Sequence, residues 1–267
     1  MEALAPRAFF DLSRLDHPVL KGLFATVEPV WKVLDALKEI LRHHIRPNVP
    51  DIIEPYVPIT APIVILPGGW LDEGFEIVQN QKGKVEIIVE GEPRPEASLI
   101  QAGVTFADRH VEIGRGVVIE SSAYMKGPTV IMDGTEVRQG AYVRGDCFFG
   151  RSCVVGHTTE VKHSIFLDGA KAGHFAYIGD SILGNAVNLG AGTKLANLRL
   201  DGRNIILNID GKRFDTGRRK IGAILGDGVQ TGCNSVTNPG TLLGQGSLVA
   251  PNSSVRPGLY SKKTVIK

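Results

Sequence analysis

Apolar residues recur every six positions through the middle of this chain: Ile113, Ile119, Met125, Ile131, Val137, Val143, Phe149, Val155, Val161 and Leu167. An amphipathic helix repeats every three to four residues and a half-buried strand every two, so neither fits. The period predicts short strands that end at corners and send one aliphatic side chain each toward a common axis. That is the hexapeptide repeat of a parallel β-helix, in which stacked coils bury one continuous core. The repeat returns at Leu225, Thr231, Thr237, Leu243, Val249 and Val255, with threonine twice where an aliphatic residue is expected. Between the two runs the register slips, since Ile178, Leu183 and Leu189 are spaced five and six apart. Glycine often follows the hexad residue, as at Gly114, Gly150, Gly156 and Gly190, which suits a corner where a Cβ would clash.

The flanks read differently. Residues 1–46 carry helical signals: Thr26 as an N-cap, Pro29 in the first turn, then Val30, Leu34, Leu37 and Leu41 as one apolar stripe. The stripe is expected to pack on the solenoid or on a neighbouring subunit. Residues 47–67 are proline-rich and extended, and FEIVQ and KVEIIVE around NQKG read as a β-hairpin. The expected organisation is an N-terminal helical and hairpin region over 1–104 and a β-helix over 105–267. Within the latter, Asp210-Gly211 between NIILNI and KRFD predicts a second hairpin, on a loop protruding over 197–220. That loop is basic, with Arg199, Arg203, Lys212, Arg213, Arg218, Arg219 and Lys220, which suits a phosphorylated ligand or simply a solvated face.

Composition narrows the function classes. The chain has 267 residues, a net charge of +2 and 43% hydrophobic residues, a balance that points to neither nucleic acid nor membrane as partner. No apolar run reaches the ~18–20 residues of a membrane span, and MEALAPRAFF lacks the pattern of a signal peptide. Cys147, Cys153 and Cys233 show no metal-ligand spacing and are expected as free thiols in a reducing cytoplasm. No phosphate-binding glycine loop precedes residue 105.

Candidate chemistry concentrates between Lys162 and Asn197, where His174, Tyr177, Asn188 and Asn197 interrupt the repeat. Residues about 18 apart stack on adjacent coils at ~4.8 Å, so Arg144 and Lys162 share one face and His157 and His174 come close to doing so. Two stacked cations repel unless an anion lies between them, and a phosphate is the natural guest.

These residues, with GDSILGNAVNLGAGTKLANLRLDG and DTGRRKIGAILGDGVQTG, resemble the acetyltransferase domain of the bifunctional N-acetylglucosamine-1-phosphate uridyltransferase/glucosamine-1-phosphate acetyltransferase family. The likeness is to the archaeal-type sugar-1-phosphate nucleotidylyltransferase branch, over roughly residues 130–255. The resemblance implies a left-handed β-helix, a homotrimer, and acetyl transfer from acetyl-CoA to a hexosamine 1-phosphate without a metal. It implies His174 as general base, Glu160 as the carboxylate orienting it, and Asn197 orienting the acetyl group. It further implies Arg144 and Lys162 on the sugar phosphate, Tyr177 and Asn188 on the amino sugar, and Ala191 near the thioester. Cys233 and Pro251 fall at coenzyme-contacting positions but depart from the family's serine and alanine; proline has no N–H to offer. The basic C-terminal arm of bacterial members has no clear counterpart before Lys267. The uridyltransferase domain has none before residue 105, so pyrophosphorylase activity is not expected.

Two competing readings remain: a non-catalytic scaffold or regulatory subunit that binds the sugar phosphate, and a γ-carbonic-anhydrase-like metalloenzyme using His157 and His174.

Overall fold

The computed structural model describes residues 2–15, 17–81 and 84–267. Residues 82 and 83, half of the expected NQKG turn, lie outside the described residues. The chain forms a parallel β-helix of three faces, with strands of two to four residues stacked in two 8-stranded sheets and one 11-stranded sheet. Three residues mark each coil: Val137 on the first face, Val143 on the second and Phe149 on the third, all buried. Their columns fill the axis with Ile100, Ile119, Val155, Ala172 and Leu189 on the first face, and with Met125, Val161, Ile178 and Leu195 on the second. No coil could bury such a column alone. Each inward aliphatic contributes roughly 1.5–3 kcal/mol only when its neighbours exclude water.

The slip in register falls earlier than the repeat implies. Phe149 pairs with Phe166 on the next coil, so Phe166, not Leu167, enters the core. Leu167 is buried outside the axis instead, among the residues that meet the N-terminal helices. From there Ile178, Leu183 and Leu189 take the inward positions, as their spacing predicts. Thr231 is accommodated because its hydroxyl pairs with that of Thr193 at 2.9 Å.

The coils also begin ahead of residue 105. Ser98–Ile100 already runs parallel to Val118–Ile119, and Ile63–Leu66 pairs antiparallel with it to close the end of the first face. Phe75–Gln79 and Val85–Val89 form the expected hairpin, joined by Glu92–Pro93 in a small separate sheet.

The outward side of the third face is apolar. Val130, Phe148, Ile165, Ile182, Ile224 and Leu242 are buried there against Phe9, Phe10, Leu20, Phe24, Trp31, Leu34, Leu37 and Leu41. The N-terminal stripe therefore covers the solenoid of its own chain. Thr26 does not start the stripe's helix. It ends the helix Pro18–Thr26, its hydroxyl donating back to the Gly22 carbonyl, and the stripe follows on Val30–Lys32 and Val33–His44. Segment 197–220 is an insertion within a coil, but it does not protrude. Its hairpin Ile206–Ile209/Lys212–Asp215 lies back on the third face, with Ile205, Leu207 and Ile209 buried.

Candidate functional site

Short strands with one residue pointing in and the next pointing out leave each face with a vertical column of outward side chains. On the second face this column reads Tyr124, Tyr142, Glu160, Tyr177 and Lys194 in register. At the corner beyond it, the Arg144 N–H donates to the Val161 carbonyl at 2.9 Å and Lys162 pairs with Gly179, so Arg144 and Lys162 occupy adjacent coils. They are not a bare pair, because the Arg144 guanidinium donates to Glu160 at 2.7 Å and lies over the Tyr142 ring. The hydrogen bond to Glu160 raises the Arg144 pKa above its ordinary value, so its charge is secure.

Above Lys162 the corner becomes a connected polar cluster. The Tyr177 hydroxyl donates to Asn197 Oδ1 at 3.4 Å, and Asn197 Nδ2 donates to Asp180 Oδ2 at 2.6 Å. Asn197 and Asp180 are both buried. Burial raises the Tyr177 pKa, with Glu160 and Asp180 adding to the effect, so the phenol stays a proton donor at neutral pH.

His174, Ala191, Cys233 and Pro251 lie at the corner between the first and second faces. His157 pairs with His174, and Gly192 N–H donates to the His174 carbonyl at 3.0 Å, which sets Ala191 beside His174. Asn234 N–H donates to Ala191 and Asn252 N–H to Cys233, which continues the column through Cys233 to Pro251. The His174 ring is exposed against Phe175, with centroids 6.3 Å apart. The Ala191 N–H makes no hydrogen bond to the described residues, and so is free to donate to a guest.

Two expected associations change. Glu160 is engaged by Arg144, and among the described residues no hydrogen bond joins its carboxylate to His174; Glu160 stands in the outward column of the second face beside Tyr177, and His174 at the corner before that face. Asn188 points out from the first face between Lys171 and Gln230, not with Tyr177 on the second. His163 ties its corner to the helix Val33–His44 through the Leu34 carbonyl at 2.8 Å.

The sequence reading passed over Phe175 and Asp180, and it took Arg218 only as one of the basic residues of segment 197–220. Phe175 occupies a left-handed corner slot, φ 51°, that other coils fill with Ser122, Gly140, Thr158, Gly192, Asn234 and Asn252. A bulky residue in such a slot is itself a signal, since φ in this region disfavours large side chains. Among the described residues, no group of three His, Cys, Asp or Glu side chains is set to hold a metal ion. Nor is any described helix long and apolar enough to cross a membrane.

Comparison with known proteins follows this geometry. Residues 125–265 match the family described as the GMPPB C-terminal domain. A bifunctional sugar-1-phosphate nucleotidylyltransferase/acetyltransferase of Sulfurisphaera tokodaii is 43% identical over 101 residues, 38% of this chain and 25% of that protein. A bifunctional protein GlmU of Methanococcus maripaludis is 39% identical over 113 residues, 42% of this chain and 27% of the relative. One of Methanocaldococcus jannaschii is 31% identical over 188 residues, covering 70% and 41%. In these three alignments the chain covers between a quarter and about two fifths of the relative's length.

Proposed function

Because the chain belongs to the family described as the GMPPB C-terminal domain, we propose that it transfers an acetyl group from acetyl-CoA to the amine of a hexosamine 1-phosphate, with glucosamine 1-phosphate as the reference acceptor. Relatives named as acetyltransferase and as GlmU support the transferase class. The observation that supports the reading is the grouping of polar groups on successive coils: Arg144 and Lys162 on two adjacent coils, and the Tyr177–Asn197 pair on the coils that follow. His174 lies three residues upstream of Tyr177 on one coil.

Each residue then has a task that its chemistry suits. Arg144 and Lys162 hold the phosphate, Arg144 as a fork donor and Lys162 as a point charge. Tyr177 and Asn188 hold the amino sugar, and Asn197 orients the acetyl group. The amine nitrogen attacks the thioester carbon, and His174 takes the proton that the nitrogen sheds. The C–S bond then breaks, with coenzyme A leaving as the thiol once its sulfur is protonated. The Ala191 N–H donates to the oxyanion that forms during attack, while Cys233 and Pro251 line the coenzyme's path up the same column. Glu160 acts by fixing Arg144.

Asn188 and Tyr177 point out from different faces, so a cleft that uses both draws them from two copies. This supports a homotrimer with clefts between neighbours, working in the cytoplasm. A second reading, a non-catalytic sugar-phosphate-binding subunit, draws on the His174 ring, which makes no hydrogen bond to the described residues, and on Pro251, which has no N–H.

The test is thiol release from acetyl-CoA in the presence of glucosamine 1-phosphate. Release by the wild type, lost in His174→Ala with an unchanged melting temperature, supports the enzyme. Stabilisation by glucosamine 1-phosphate without thiol release supports the binding subunit. Full activity in His174→Ala removes the proposed base.

A further inference from the structure

Arg218, in the inserted segment, lies between the candidate site and the N-terminal helices. All three of its guanidinium nitrogens are engaged: Nη2 donates to Asp180 at 3.5 Å, Nε to the Lys220 carbonyl at 3.0 Å, and Nη1 to Asp35. Asp180 is the buried carboxylate that accepts from Asn197 Nδ2. Asp35 belongs to the helix Val33–His44 and also pairs with Lys32. One unbroken path therefore runs Lys32, Asp35, Arg218, Asp180, Asn197, Tyr177.

We propose that Arg218 is a positioning residue: by pinning Asp180 it fixes the side-chain amide of Asn197, and through Asp35 it makes that orientation depend on the docked N-terminal helix. The inference rests on the acetyl-transfer reading, in which Asn197 orients the acetyl group. Its physical basis is a buried carboxylate with two donors. Asp180 is buried, and a charge so placed needs compensation. Arg218 supplies the counter-charge and leaves Oδ2 to Asn197, which locks the amide by a short charge-assisted bond. Without the guanidinium, Asp180 would turn toward water, and Asn197 would lose its anchor.

The same corner is tied to the helix at two more points, His163 to the Leu34 carbonyl and Asp146 to Lys38 at 3.8 Å. The helix is thus held against the rungs that carry Arg144, Lys162 and Tyr177. Arg218 is also withdrawn from the basic set that the sequence offered to a phosphorylated ligand. Its charge is directed inward.

The experiment uses the full chain and two readouts: steady-state acetyl transfer to glucosamine 1-phosphate, and the 15N-detected side-chain amide signal of Asn197. Arg218→Met is expected to shift that signal and lower kcat by about tenfold to a hundredfold, the scale of a small misplacement of a reacting group. Both KM values should stay within about twofold. Arg218→Lys, which keeps the charge but not the fork, should fall between. Asp35→Asn, at the exposed end of the path, should change kcat in the same direction by less, and it keeps the test open if Arg218→Met does not fold. An unmoved Asn197 signal in folded Arg218→Met and Asp35→Asn overturns the inference, as does a moved signal with unchanged kcat. Absence of acetyl transfer in the wild type would count against the enzymatic reading alone, and the Asn197 signal would still decide whether Arg218 fixes the amide.

Discussion

The phenol of Tyr177 reaches the amide of Asn197 at 3.4 Å, and it does so across Gly179, where there is no side chain in the way. A Cβ at 179 would lie 2.5 Å from Asn197 Nδ2 and 2.7 Å from Tyr177 Oη. Both contacts are shorter than side chains tolerate. This is a glycine required by close approach, since its backbone is not in the left-handed region.

Gly179→Ala therefore makes a sharp test of the cluster. Asn197 is held by Asp180, so Tyr177 has more freedom to yield, and the methyl should push the phenol away. Overpacking of this kind costs about 1–3 kcal/mol, which a melting curve will register as a shift of a few degrees. Acetyl transfer should fall by at least about tenfold if the phenol contacts the sugar. A variant with wild-type melting and wild-type turnover would mean that the Tyr177–Asn197 contact has no functional weight.

The Arg144–Glu160 bond leads to a different expectation from the one that the resemblance implies. A carboxylate orienting His174 would, once neutralised, alter kcat and move the acid limb of its pH profile. A carboxylate fixing Arg144 acts on the phosphate. Glu160→Gln is therefore expected to change the acceptor KM while leaving the acid limb of kcat in place. Arg144→Ala should raise the acceptor KM by about tenfold or more, the scale of a lost charge-assisted hydrogen bond. Initial rates measured from pH 5.5 to 8.5 at saturating acetyl-CoA separate the two roles.

The architecture was legible in the six-residue period because an axial core repeats with the corners, whatever the faces carry. What the period could not express is what lies outside the axis. The third face advertises its cover in retrospect: Phe148-Phe149, Ile165-Phe166, Ile182-Leu183 and Ile224-Leu225 are apolar doublets, one residue in and one out. On the second face the outward partner is polar or aromatic, as in Tyr142-Val143 and Glu160-Val161. Doublets mark a covered face, and they would have directed the N-terminal stripe to it. The inserted hairpin forms where Asp210-Gly211 predicts it, and its docking is marked in the same way, since Ile205, Leu207 and Ile209 alternate like a strand with one buried side. Arg218 and Asp180 stayed hidden because their partners lie far away in sequence, and no local pattern encodes a contact between Arg218 and Asp35.

The cover on the third face includes a half-buried histidine, His17. His17 packs edge-on against Phe148 with ring centroids 5.0 Å apart, and its Nδ1 is buried with no hydrogen-bond partner among the described residues. Burial depresses its pKa; His44, Arg151 and Arg46 act in the same direction, and Glu112 opposes them. A histidine with a folded-state pKa below its unfolded value of about 6.5 binds protons preferentially when unfolded. Its contribution is thus fully present above about pH 6.5 and is lost as pH falls toward the depressed value. Urea midpoints should drop between pH 7 and pH 5 in the wild type, and less steeply in His17→Gln. Equal slopes would show that the fall comes from other groups.

The three thiols supply a probe of the proposed coenzyme path. Burial pushes the Cys147 and Cys153 thiols up to about 12, so neither forms thiolate at neutral pH, and neither is accessible to a reagent. Cys233 is exposed, in the column that runs from His174 through Ala191 to Pro251. A native sample treated with a maleimide at pH 7 should therefore take up one label, at Cys233, and a denatured sample three. If the coenzyme lies along this column, saturating acetyl-CoA will slow labelling of Cys233 by about tenfold or more, whereas glucosamine 1-phosphate alone will leave the rate nearly unchanged. Mass spectrometry of the labelled peptide reads this directly. Protection by the sugar phosphate but not by acetyl-CoA would put the two ligands in the opposite order, and equal labelling under every condition would take the coenzyme off this corner altogether.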